Sequence, residues 1–125
     1  MNNLREQILS KKDIDSEQVY IPQWDVTVEV RTLTGRQRAI LLQDTVSLKG
    51  KIDFQKLYPQ LAVMSTYDPQ TGELIFMPGD MDALAEKSGA ALEIIAQVAI
   101  KLSGLNPDEL EKNSETTPSE DSILS

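Results

Sequence analysis

The residues of this chain that could do chemistry are nearly all carboxylates, with one basic corner. The sequence holds no cysteine and no histidine in 125 residues. Disulfides, thiolate nucleophiles and Cys-based zinc sites are therefore excluded. The commonest general base, the Ser-His and Cys-His pairs and most transition-metal sites are excluded with them. Asp and Glu pairs can support acid–base work, but no spacing marks out one pair. "DPQTG", residues 68–72, resembles a calcium loop only superficially, since it lacks the alternating carboxylates and the distal Glu. The basic corner is "LTGRQR", residues 33–38. Helix N-termini attract anions, and Arg36 and Arg38 could assist. The longer glycine pattern of a phosphate loop, ending in Lys-Ser/Thr, is missing. A local role fits better. Thr34 followed by Gln37 is a capping box, which starts a helix rather than a binding site.

The elements that would position these residues follow from the same kind of reading. Asn2 or Asn3 can cap a short first helix with Leu4, Ile8 and Leu9 on one side. "EQVYI" is strand-like. In "WDVTVEVRTL", Trp24, Val26, Val28 and Val30 alternate with polar residues, which predicts a half-buried strand pairing with residues 17–21 as a hairpin. Trp24 is expected to anchor the core at the hairpin turn. A helix from Thr34 follows, and then a turn pivoting on Gly50. The apolar spacing of Phe54, Leu57, Leu61 and Met64 predicts a helix that Pro59 kinks or splits. Leu74, Ile75 and Phe76 predict a short strand, and Asp80 a helix cap.

"AALEIIAQVAIKLSGL" is the most apolar helix. Its polar residues Glu93, Gln97 and Lys101 form one stripe, and Gly104 is a C-cap candidate. Such a helix is either central to its domain or shared with another chain. Ala91, Ile94, Ile95, Val98, Leu102 and Leu105 are the candidate self-association or client-binding face. Asn106 and Pro107 can start one more turn. After Asn113 the composition turns to Ser, Thr, Glu and Pro, which predicts a disordered acidic tail.

The expected fold class is α+β: a small N-terminal β-hairpin, a mainly helical domain and a disordered C-terminal tail. The expected division is one domain over 1–112 and a tail over 113–125. Net charge is −8, which disfavours binding to nucleic acid or to anionic membranes. No signal peptide or membrane-length apolar run is visible, so a cytoplasmic location is expected. No catalytic, metal or cofactor residues are assigned, and a binding or assembly protein is favoured over an enzyme.

Several motifs, taken in order, carry a family resemblance. "IPQWDVTVEVRTLTGRQR" looks like a tryptophan strand followed by a "VR-x-LTG-R-x-R" corner. "MSTYDPQTGELIF" looks like a "DP-x-TG-x-x-x-F" turn. "LAEKSGAALEIIAQVAIKLSGL" looks like an "L-x-x-KS" helix ending in "LSGL", and "LEKNS" is similar to a closing segment. Together, over residues 1–114, they resemble the tail assembly chaperones of long-tailed bacteriophages and related prophages. The resemblance implies a non-catalytic protein that binds the tape measure protein, recruits tail tube protein, self-associates and leaves before the tail is complete. It also implies a second form, extended by programmed frameshifting. Glu111-Lys112-Asn113 can be encoded GAA AAA AAC, which contains a heptamer that permits such slippage. The competing expectation is a structural or adaptor protein retained in the tail.

Overall fold

The computed structural model describes residues 3–105. The expected tail, the domain boundary at residue 112 and the Glu111-Lys112-Asn113 slip site lie outside the described residues. In chain order the elements are α1 (Asn3–Ser10), β1 (Ser16–Ile21), β2 (Val26–Arg31), α2 (Gly35–Thr45), α3 (Phe54–Ser65), β3 (Thr66–Tyr67), α4 (Met81–Ala85) and α5 (Gly89–Ser103). A 3₁₀ turn, Pro78–Asp80, leads into α4.

The hairpin forms as the alternation predicts. β1 and β2 pair antiparallel, with Val19 opposite Val28 and Ile21 opposite Val26. Val19, Ile21, Val28 and Val30 are buried beneath α5, while Tyr20 and Thr27 face outward. One face on the core and one in water is the arrangement an antiparallel sheet permits. The strand is shorter than expected at its start. Trp24 and Asp25 belong to the connecting turn, held by Trp24 N–H to Ile21 O and Asp25 N–H to Pro22 O. Asp25 takes a left-handed φ of 52° there. Trp24 still packs partly buried against the core.

Two further expectations differ from the structure. A third strand, β3, pairs with β2 through Glu29–Tyr67 and Val30–Thr66. The expected strand at 74–76 reduces to a single bridge, Leu74 to Tyr67. The intervening turn explains both. Asp68 Oδ1 accepts from Gln70 N–H at 2.8 Å. Gly72, at φ 76°, donates to Asp68 O. This closes the loop tightly and leaves little strand on its return side. The carboxylate that resembled part of a calcium loop is thus the acceptor of an Asx turn.

α3 runs unbroken through Pro59, which is buried inside it. Proline removes only one N–H donor, and α3 packs against α2, α4 and α5. That burial outweighs the lost bond. α5 is the central helix. Ala91, Leu92, Ile95, Ala96 and Ala99 are buried on it, against α3 and the sheet. Fully burying each of the larger side chains is worth about 1.5–3 kcal/mol.

Candidate functional site

The basic corner proves to be a joint. Thr34 Oγ1 accepts from Gln37 N–H at 3.1 Å, and Gln37 Oε1 accepts from Thr34 N–H at 3.0 Å, completing the expected capping box. Gln37 also donates through Nε2 to the Met64 carbonyl at 3.3 Å, tying α2 to the end of α3. Arg38 Nη1 donates to the Ser103 carbonyl at 3.2 Å. A cation there meets the negative end of the α5 dipole. Leu33 N–H donates to Ser103 Oγ at 2.9 Å. Thr32 Oγ1 donates toward the Leu102 carbonyl at 3.4 Å. Gly104 closes α5 in the left-handed conformation, φ 67°. The "LTGRQR" and "LSGL" motifs are therefore two halves of one contact between the sheet exit and the last helix.

A second motif pair meets in the same way. The Arg31 guanidinium lies 3.8 Å from the centre of the Tyr67 ring. It donates through Nε to Glu29 Oε2 at 2.7 Å and through Nη2 to the Gly72 carbonyl at 3.4 Å. Stacking plus directed hydrogen bonds is a geometry arginine supplies and lysine does not. It fastens the 68–72 turn to β2.

The expected interaction face on α5 divides. Ala91 and Ile95 are completely buried and Leu105 nearly so, all within this chain's own core. Ile94, Val98 and Leu102 are half-buried and pack against that core from its margin. The polar stripe is exposed: Gln97 Nε2 donates to Glu93, and Lys101 Nζ reaches Glu17 Oε1 on β1 at 2.8 Å. Any partner of α5 would meet the marginal residues and this stripe, not the three buried side chains.

Other exposed apolar surface is more extensive. On α1, Leu4, Ile8 and Leu9 are 64%, 62% and 67% exposed, and no residue of the helix is buried. A shallow apolar groove is lined by Ile40, Val63, Met64, Pro78 and Met81. A Gln60–Asp44 hydrogen bond of 2.9 Å lies along it. Met77 stands 70% exposed just before the 3₁₀ turn. Asp80 closes that turn by accepting from Met77 N–H at 2.8 Å, and makes no side-chain cap to α4. The expected Asp80 cap is thus displaced by one turn. Ser88, for which no cap was expected, caps α5, its hydroxyl accepting from Ala91 N–H. The spacing of Leu4, Ile8 and Leu9 already signalled α1. The groove had no local signal, because its walls come from segments far apart in the chain.

Among the described residues no group of His, Cys, Asp or Glu is arranged to hold a metal ion. Among the described residues no helix is long and apolar enough to cross a membrane. Tyr20 donates to Asp25 Oδ1 at 2.8 Å, and this bond holds its phenol above the usual tyrosine value.

No protein-family model matches the sequence, and no curated protein matches it significantly. A solved structure does match: the tail assembly chaperone of bacteriophage HK97, at 16% identity and a TM-score of 0.55, over 81% of this chain and 98% of that one. With its helices gathered behind a three-stranded sheet, this chain has the fold of the bacteriophage HK97 tail assembly chaperone.

Proposed function

We propose that this protein is a phage tail assembly chaperone, a non-catalytic protein that binds the tape measure protein and promotes tail tube assembly around it. The observation that carries this reading is the fold shared with a tail assembly chaperone over most of both chains. Physical support comes from the bare apolar surface of α1 and of the α2–α3 groove on an otherwise acidic protein. A long helical client needs such surface to cover its apolar stripe, and the net negative charge keeps the complex dispersed. Ile94, Val98 and Leu102 lie at the margin of α5 and add to the surface offered for self-association. The protein acts in the host cytoplasm, with tape measure protein, tail tube protein and its own copies as partners. A longer form arises by slippage at Glu111-Lys112-Asn113.

The test is co-expression with the tape measure protein of the same phage or prophage. The client should stay soluble and co-purify only when this chain is present, and the chain should be missing from finished tails. A client equally soluble alone would overturn the reading. Recovery of the chain in purified tails at subunit-like copy number would replace it with a retained structural adaptor. Intact-mass measurement of products from the native gene with its downstream DNA tests the slippage. The extended form is expected as a minor species joined at Lys112–Asn113.

A further inference from the structure

α1 and the α2–α3 groove raise converse physical problems. α1 is an eight-residue helix with no buried side chain. Isolated helices shorter than about 12–15 residues are marginal in water, and helical stability in proteins comes mainly from packing an apolar face. Leu4, Ile8 and Leu9 form such a face and stand exposed. The groove is an apolar surface with nothing seated in it. Ile40, Val63, Met64, Pro78 and Met81 line it, and no residue of α1 borders it.

The two surfaces match in length and in charge. The facing walls of the groove run from Ile40 to Asp44 on α2 and from Gln60 to Met64 on α3, each about 6 Å along a helix. The stripe on α1 runs from Leu4 to Leu9, about 7.5 Å. A longer amphipathic helix would overrun such a groove, whereas α1 fits it. The groove encloses about 390 Å³, the scale of a cleft that takes a small ligand. Within residues 3–12, Arg5, Lys11 and Lys12 stand against Glu6, a net charge of +2. Among the described residues the charge lining the groove is that of Asp44. Its Oδ2 accepts from Gln60, and its Oδ1 has no partner among the described residues. Asp80 and Asp82 flank Met81 in the chain and carry the same sign. Met64 and Met81 line the groove, and Met77 adjoins Pro78 at its edge. Methionine adapts its shape to what it meets, so these walls can close on an incoming side chain.

We propose that the groove of one copy receives α1 of a second copy, with Leu4, Ile8 and Leu9 entering between Ile40, Met64 and Met81, and Lys11 and Lys12 meeting Asp44. Arm and groove are different surfaces of one chain, so the contact is head-to-tail. Each copy gives an arm and takes one, and the contact propagates into a row or closes into a ring. One short helix in one groove falls below the roughly 1,200 Å² at which stable interfaces begin. Each link is therefore weak and reverses on dilution. An apolar helix from another protein would compete with α1 for the groove. The contact is separate from the α5 margin and does not rest on the chaperone reading; it concerns copies of this chain alone.

The test is sedimentation of the full chain over a wide range of concentration. The native protein should rise from its 13.9 kDa monomer toward higher mass. Ile8→Glu spoils the arm and Ile40→Glu spoils the groove. Both positions are exposed, so the fold should survive each change. Either variant alone should associate about tenfold more weakly or worse, since a carboxylate must then enter an apolar contact. Mixed together, the two should pair, because the first keeps a groove and the second keeps an arm. The pair should grow no further. The chain has no cysteine of its own, so Leu9→Cys/Met81→Cys should form a disulfide between copies under a mild oxidant. A native chain that stays monomeric at every concentration would overturn the proposal. So would a mixture that fails to pair while the native protein associates, which would put the contact elsewhere. A disulfide closed within one chain would seat α1 in its own groove and overturn it as well.

Discussion

Helices α1 and α5 both carry an apolar stripe, and the fold treats them oppositely. α5 buries Ala91, Leu92, Ile95, Ala96 and Ala99. It is capped at both ends, by Ser88 and Gly104, and its terminal Ser103 is fastened to Leu33 and Arg38. α1 buries nothing. The stripe alone does not decide burial. On α5 small residues alternate with large ones around most of the circumference, so sheet and α3 can both approach closely. On α1 Arg5, Glu6 and Gln7 separate Leu4 from the Ile8–Leu9 pair, and only one side can be covered. A stripe with small residues among it marks a core helix. A sparse stripe on a short helix marks a surface that needs an occupant.

The sharpest way to break this comparison is to place the same charge on both helices. Ile95→Glu puts an unpaired carboxylate at a fully buried position, and should cost more than about 4 kcal/mol and abolish a cooperative thermal transition. Ile8→Glu should leave the transition within about 0.5 kcal/mol of the native protein. Equal effects at the two sites would show that α1 is as much part of the core as α5.

The next largest effects concern what pins α5. Ser103→Ala removes the acceptor of Leu33 N–H, and should cost about 1–3 kcal/mol in chemical denaturation. Thr34→Ala breaks the capping box on the other side of the joint, with an expected loss of about 0.5–2 kcal/mol. If the joint acts as a unit, the double variant will lose less than the sum of the two singles.

Smaller still is the change at Thr66. Its Oγ1 is buried with no hydrogen-bond partner among the described residues. Thr66→Val keeps the shape and discards the orphan hydroxyl, so it should be neutral or stabilise by about 1 kcal/mol in a thermal melt.

The smallest effect is electrostatic. The bond to Asp25 raises the Tyr20 pKa from 10.0. The protonated phenol is the favoured form in the fold. Its contribution is therefore fully present below the unfolded tyrosine value and lost as pH rises through the higher folded one. Ultraviolet titration should show one tyrosine ionising late, and Asp25→Asn should bring it back toward the others.

What the sequence disclosed was local. The Thr34–Gln37 box, the Gly50 and Gly104 turns and the hairpin each depend on neighbours within a few residues, and each formed where expected. Its failures were long-range. β3 has two residues and exists only because β2 is beside it. α3 survives Pro59 because three helices hold it. The face expected on α5 could not be divided into Ala91, Ile95 and Leu105 within the core and Ile94, Val98 and Leu102 at its margin, because that division depends on where the sheet and α3 lie. The groove beside Ile40 is formed by three separate segments, and no window of sequence contains it.

The Ser103 joint has a mechanical consequence. Tension drawn through Leu105 does not fall on α5 alone. It loads the Leu105 N–H bond to Ile100 O that closes the helix, then the Leu33 and Arg38 hydrogen bonds, and through Leu33 the end of the central strand. A polypeptide continuing past that point and hauled onto a larger assembly would pull against a latch. Until the latch opens, the sheet and the helices behind it would move as one piece.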